Sequence, residues 1–221
     1  MKLVSVNIGK VQTQPWREGT LSALYKQPVK EVVSVGKFGL DGDEQADQKN
    51  HGGDDKAVFI LPEVNYELFK IKQPFGFLGE NLTISGLDET EVCLGDRFQI
   101  GNVLLEVTQP RSPCWKLGAQ AESQAEWDSM SFLKAYSESG RVGFYCRVLA
   151  EGEIETDMSV NWLTRDESQP QAPFRISIKE LFLAKQFYQT EAQWSLLQSV
   201  IKHPALSSSW QKSINGLLER K

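Results

Sequence analysis

The chain is short of the residues that usually announce metal and redox chemistry. Its 221 residues hold three cysteines, at 93, 114 and 146, and two histidines, at 51 and 203. Three scattered thiols cannot build a disulfide framework, and no paired Cys-x-x-Cys spacing marks a structural zinc. Neither a Gly-x-Gly-x-x-Gly run nor a phosphate loop ending in Gly-Lys-Ser/Thr occurs, so both common nucleotide fingerprints are missing. Positive charge is scarce as well. Lys and Arg number 24 against 29 Asp and Glu, a net charge of −5, which argues against a general nucleic-acid binder. No apolar run approaches the roughly 18 to 20 residues of a membrane span. The first residues, Met1 to Val6, turn polar too soon for a signal peptide. No internal repeat or low-complexity tract is visible. These absences lead to the expectation of a soluble cytoplasmic protein with reduced thiols and with no membrane or nucleic-acid partner.

What remains is enough for a core. Hydrophobic residues make up 40% of the chain, and the length suits one large domain or a domain with an appendage. Leu3 to Ile8, Val29 to Val35, Ala57 to Leu61, Asn81 to Ile84, Arg141 to Leu149 and Val160 to Thr164 read as strands. Arg97–Ile100 and Val103–Val107 flank Gly101-Asn102, a two-residue hairpin signal. Pro62 to about Lys70, with Val64, Leu68 and Ile71 on one side, reads as a helix. Lys116 to Ser137 is helical too, with Trp127, Met130 and Leu133 as its stripe and Gly140 as its terminator. The composition then changes. Residues 166–173 read as a linker, and 174–221 as three helices broken by Pro204. The fold class expected is mainly β (α+β), a strand-rich domain over 1–165 followed by a small helical one.

One loop stands out, Gln109-Pro110-Arg111-Ser112-Pro113-Cys114-Trp115. Two prolines stop a helix and withhold two backbone donors, leaving a stiff loop at a strand end. It carries one cation and one thiol, and a thiolate needs nearby positive charge, which Arg111 could supply. The residues alone leave two readings, a metal or nucleophile site and a buried Cys in a rigid turn. A second stretch, Gly39-Leu40-Asp41-Gly42-Asp43 followed by His51-Gly52-Gly53 and Lys56, has the glycine density for close backbone approach by a ligand. There Asp43 and His51 either meet a ligand or brace the loop. Asn81, after Gly79-Glu80, is either a turn residue or an amide offering donor and acceptor to a ligand. Cys93 and Cys146 sit in apolar segments and read as core, and His203 as a helix-end residue.

The ordered set of Gly39-Leu-Asp-Gly-Asp43, His51-Gly-Gly53 with Lys56-Ala-Val58, Gly79-Glu-Asn81-Leu82, Gly95-Asp96, Pro110-Arg-Ser-Pro-Cys114 and Gly140-Arg-Val-Gly143 resembles the MOSC family, named for the C-termini of molybdenum cofactor sulfurases. The tail resembles the three-helix appendage of its YiiM-like branch. The resemblance implies a barrel-like β fold and a molybdenum cofactor (molybdopterin), with Cys114 as the metal's protein thiolate. It also implies that Arg111 holds the anionic cofactor and favours the thiolate, that Ser112 and Asn81 bond the pterin or its phosphate, and that His51 and Lys56 add amides and charge, His51 with a catalytic part. A soft thiolate suits molybdenum already carrying sulfur ligands.

The activity so implied is reduction of small N-hydroxylated compounds such as N-hydroxylaminopurines to amines, a detoxification independent of pyridoxal phosphate. No flavin, haem or iron–sulfur motif is present, so the resemblance requires a separate electron-donor reductase, expected to be a flavoprotein. Two other classes stand beside this one. One is a carrier of sulfur or cofactor on Cys114, and the other an interaction module whose loop is only structural. The tail reads first as a packing or homodimer element.

Overall fold

The computed structural model describes residues 1–17, 19–46, 53–123, 127–164, 174–187 and 190–220. The candidate His51 and the expected linker 166–173 lie outside these residues.

Among the described residues there are thirteen strands and six α-helices. Eight strands share one sheet, in the order β13 (Val160–Leu163), β9 (Arg97–Ile100), β10 (Val103–Pro110), β11 (Phe144–Ala150), β7 (Val58–Pro62), β8 (Leu82–Ser85), β1 (Lys2–Gly9) and β4 (Lys26–Val29). All pairs are antiparallel except β7 with β8, which run parallel. The sheet curls onto itself. The far half of β1 pairs with β4, while at its near end Leu3 donates to Met158 O at 3.0 Å and Val160 donates to Met1 O at 3.2 Å, just before β13. This is the mainly β architecture that the strand pattern predicts, in the barrel-like form that the resemblance implies. The hairpin at Gly101-Asn102 forms with Val103 opposite Ile100.

Two smaller sheets flank the barrel, β12 (Gly152–Ile154) with β5 (Val33–Gly36) and β6 (Gly39–Leu40), and β2 (Gln12–Thr13) with β3 (Leu21–Ser22). They correct two expectations. The run Val29 to Val35 is not one strand: β4 ends at Val29 and joins β1, whereas β5 begins at Val33 and joins the side sheet. Glu151-Gly152 does more than turn the chain, because Gly152–Ile154 pairs with Val33–Val35.

The helices follow their caps. In α3 (Ser129–Ser139) the Asp128 carboxylate accepts from Met130 N and Ser131 N, and Gly140 ends the helix at φ +66°, a left-handed angle that glycine adopts without steric cost. Phe132 and Tyr136 form its buried face, while Met130, read from spacing as core, is 74% exposed. In α1 (Val64–Leu68) the expected face holds only in part: Ile71, just beyond the helix, is buried, but Val64 and Leu68 point outward while Asn65 and Tyr66 are buried. Five residues are too short a segment for periodicity to fix a face.

The tail forms α4 (Ile178–Gln186), α5 (Glu191–Val200) and α6 (Ser208–Leu218). It packs directly on the barrel. Ile178 N donates to Val92 O at 2.8 Å, Leu94 N to Ile176 O at 3.0 Å, and Ser207 N to Thr108 O at 3.1 Å. Leu181, Phe182, Leu197, Trp210 and Ile214 join the same hydrophobic core as the strands.

Candidate functional site

Strand β10 places the loop singled out in the sequence. Its last residue, Pro110, lies opposite Phe144 of β11, and Arg111 N donates to Gly143 O at 3.0 Å. Gly143, at φ +72°, permits this convergence: a Cβ there would lie 2.6 Å from the Phe59 ring and 2.8 Å from Ile60 O. Ser112 and Pro113 then carry the chain to Cys114, which is the N-cap of α2 (Trp115–Glu122). The Cys114 side chain takes no part in capping, although its carbonyl accepts from Leu117 N at 3.0 Å. Its sulfur is partly accessible and sits at the positive end of a helix, a setting that suits an anionic sulfur bound to a metal.

Arg111 lies inward of the thiol. It is 4% exposed, donates from Nη1 to Leu78 O at 3.1 Å, and stands 5.2 Å from the Phe59 ring centroid and 6.0 Å from that of Tyr136. Among the described residues it has no carboxylate ion pair. A buried cation without a counter-charge is costly for a folded chain to hold, so a ligand that brings negative charge has strong reason to bind beside it.

The opposite wall comes from the glycine-rich stretches. Asp43 is its hub. Its carboxylate accepts from Gly9 N at 2.7 Å and from Asn81 Nδ2 at 2.9 Å, and it pairs with the nearly buried Lys26. The bracing role considered for Asp43 is therefore present, with β1 as the element braced. Asn81 is also engaged inside the protein. Its Oδ1 accepts from Phe59 N at 3.1 Å, so its amide ties β7, β1 and the Asp43 loop together while still lining the cleft. Beneath it Glu80, fully buried, accepts from Tyr66 Oη and Gly76 N, both at 2.7 Å, and from Thr83 Oγ1 at 3.0 Å. Burial raises the Glu80 pKa, partly countered by those hydrogen bonds.

Together these walls enclose a cleft of ≈ 710 Å³, its open mouth included, lined by Arg111, Ser112, Cys114, Asn81 and Lys56. Five of the six candidate residues thus meet around one space, and the sixth, His51, lies outside the described residues. Sequence reading missed Lys26, Lys116 and Tyr145, which also line it. Lys116 directly follows Trp115 and donates to Leu21 O at 3.0 Å, and Arg17 lies 4.1 Å over the Trp115 ring, so the β2–β3 hairpin is held at the mouth. Burial raises the Tyr145 pKa, opposed by Arg111, so its hydroxyl keeps its proton at neutral pH. Strand alternation was the only signal for Tyr145, and it says no more than that Tyr145 faces away from Cys146.

The cleft favours anions. Lys26, Lys56, Lys116 and Arg111 face it against Asp43 and Glu44. Asp43 is already bound to Lys26, and Glu44 pairs with Lys10 at 3.1 Å. A thiol, a guanidinium with no carboxylate partner among the described residues, and the lysines around them fit a phosphate-bearing cofactor that needs one soft sulfur ligand. A second compartment opens on the other side of Cys114 and shares Lys56, Ser112, Cys114 and Tyr145 with the first. The remaining thiols differ. Burial pushes the Cys146 thiol well above its ordinary pKa, and Cys93, also raised by burial, accepts from Arg175 at 3.3 Å. His203 is buried, with Nδ1 accepting from Ala205 N at 3.2 Å just after α5. No helix of the described residues is long and apolar enough to cross a membrane.

Comparison with known proteins identifies relatives of this chain. The MOSC domain model matches residues 47–161. YflK of Bacillus subtilis is 32% identical over 96% of this chain and 91% of its own length. A protein of Gibberella moniliformis named "Reductase" is 33% identical over 74% of this chain, a stretch that occupies 29% of that longer protein. The crystal structure of YiiM from Geobacillus stearothermophilus superposes with a TM-score of 0.74 at 31% identity, covering 98% of both chains.

Proposed function

The chain belongs to the MOSC family, and from that premise we propose that it is a molybdenum-cofactor-dependent reductase of N-hydroxylated compounds, including N-hydroxylaminopurines. Its similarity to the Gibberella reductase supports an oxidoreductase role, and its likeness to YiiM supports that branch of the family. The observation that carries the reading is the pairing of accessible Cys114 with buried, carboxylate-free Arg111 in one cationic cleft.

When bound, the cofactor supplies two-electron redox chemistry at its metal. The net reaction is R–NHOH + 2 e⁻ + 2 H⁺ → R–NH₂ + H₂O, in which the N–O bond breaks. The electrons come from a separate donor protein, expected to be a flavoprotein. Cys114 Sγ serves as the protein's ligand to molybdenum. Arg111 and Lys116 neutralise the cofactor's negative charge, and Ser112 offers a hydroxyl from the rim. Asn81 acts through Asp43 and Phe59 by fixing the wall. Tyr145 keeps a hydrogen-bond donor beside Cys114, and Lys56 places a cation where the two compartments meet. The role proposed for His51 is that of a hydrogen-bond donor to the cofactor or substrate. The reaction belongs in the cytoplasm, where reduced donors and reduced thiols coexist.

The test is the molybdenum and pterin content of protein made in a host that demonstrably loads another molybdoenzyme, wild type beside Cys114→Ser. Near-stoichiometric metal in the wild type and its loss in the variant are expected, followed by N-hydroxylamine reduction with an artificial electron donor. Absence of molybdenum from both proteins overturns the proposal.

A further inference from the structure

The second compartment leads away from Cys114 between the loop and the tail. Its wall includes Gln109, Lys185, Ser209, Trp210 and Ser213, and through Lys185 and Ser213 it continues into a third, which adds Lys212 and Arg220. Their volumes are ≈ 320 and ≈ 370 Å³, at the lower end of the range of small-molecule sites. The chain is acidic overall, yet among the described residues these two compartments are lined by Lys56, Lys185, Lys212 and Arg220 and by no Asp or Glu. Among the described residues Lys185, Lys212 and Arg220 have no ion pair. Lys185 instead lies 4.4 Å over the Trp210 ring, where burial lowers its pKa. A desolvated ammonium in that position gains from an arriving anion.

The groove is also held in place. Ser207 and Ser209 hydroxyls donate to Gln109 Oε1 at 2.6 and 3.0 Å, and Ser208 N donates to Asp55 Oδ2 at 3.0 Å. The tail is thereby fixed to β10, the strand that delivers Cys114. Along α6, Ser209 and Ser213 are about 6 Å apart in axial rise, and Arg220 follows two residues past the helix end at Leu218. A ligand with its reacting end at Cys114 would therefore place a group several ångströms away among Lys185, Lys212 and Arg220.

We infer that this groove binds the phosphate of a phosphorylated substrate, so that a nucleoside monophosphate carrying the N-hydroxylated base is taken in preference to the free nucleoside. This deepens the reductase reading and rests on it for the reacting end alone. The cofactor's own phosphate is assigned by the reductase reading to the first compartment, with buried Arg111.

The experiment is calorimetric titration of the full chain, as purified, with adenosine 5′-monophosphate and with adenosine at low and high salt, for wild type and for Lys212→Glu/Arg220→Glu, with molybdenum and pterin measured on the same samples. The expected result is monophosphate binding at least tenfold tighter than adenosine, weakened by salt, with the preference lost in the variant and cofactor content unchanged. Equal affinity for the two ligands, no binding of either, or an unchanged preference in the variant overturns the inference. Loss of cofactor from the variant with monophosphate binding intact also overturns it and assigns the groove to the cofactor. Because the titration reads binding and not turnover, failure of the reductase reading would leave its outcome separately visible.

Discussion

Arg111 holds a positive charge inside the barrel against the usual economy of protein interiors, with the Leu78 carbonyl, the Tyr136 side chain and the Phe59 ring as neighbours. Its stability and its function therefore pull apart. Arg111→Met should leave the cofactor-free protein as stable as wild type or more stable by about 1 kcal/mol, since an uncompensated buried charge is removed. The same change should lower cofactor retention at least tenfold. Thermal melts set beside metal content check both arms, and a variant that simply unfolds would show the residue to be structural. Glu89 gives a second test. It is 2% exposed, and burial pushes its pKa up to about 8 although Asn65 Nδ2 donates to it at 3.2 Å. The native state thus binds a proton that the unfolded chain releases near pH 4.3. The stability from this group is complete below about pH 4.3 and is lost as pH rises through 8. Glu89→Gln should raise the melting temperature more at pH 9 than at pH 5, and an equal shift at both would remove Glu89 as the cause. Cys114 and Arg111 were legible in the sequence because prolines and charge mark their loop. Tyr145 and Lys116 were not, because nothing local distinguishes a cleft-lining Tyr or Lys from a surface one.

Elements bounded by strong local signals emerged as the sequence predicts. The hairpin at Gly101-Asn102, the helix ended by Gly140 and the three tail helices with Ser and Thr caps are examples. Where sheet partners decide, local reading failed: Val29 to Val35 is divided because its two ends serve different sheets. Packing between elements is testable with two helical glycines. A Cβ on Gly118 would meet Ser129 Oγ and come within 2.8 Å of Leu133, where α2 crosses α3, whereas at Gly216 it would meet nothing within 4 Å. Gly118→Ala should destabilise by about 1–3 kcal/mol through overpacking. Gly216→Ala should stabilise by about 0.5–1 kcal/mol through helix propensity. Denaturant titration of both decides, and stabilisation by Gly118→Ala as well would mean that the α2–α3 contact is looser than the structure requires.

At the scale of the whole molecule, the composition break after residue 165 marks a strand-rich domain followed by a small helical one. Buried and charged contacts nevertheless join the two. Asp96, fully buried, accepts from Cys93 N at 2.9 Å and from Trp162 Nε1 at 3.0 Å, and Arg175 of the tail lies 3.9 Å from the same carboxylate. Arg147 of β11 pairs with Asp55 at 2.9 Å and donates to Ala205 O at 2.9 Å, so the strand beside the Cys114 loop holds both the segment before β7 and the entry to α6. Removing the tail would uncover buried side chains of the shared core, each worth about 1.5–3 kcal/mol when buried, against a net stability of only about 5–15 kcal/mol for a typical fold. The full chain should therefore unfold in a single transition by calorimetry and by circular dichroism, and a chain ending at residue 173 should fail to fold as a monomer. Two resolved transitions, or a folded and cofactor-loaded truncation, would make the helices an appendage in energy as well as in sequence, and the groove behind Cys114 would then be a joint between two bodies instead of a wall within one.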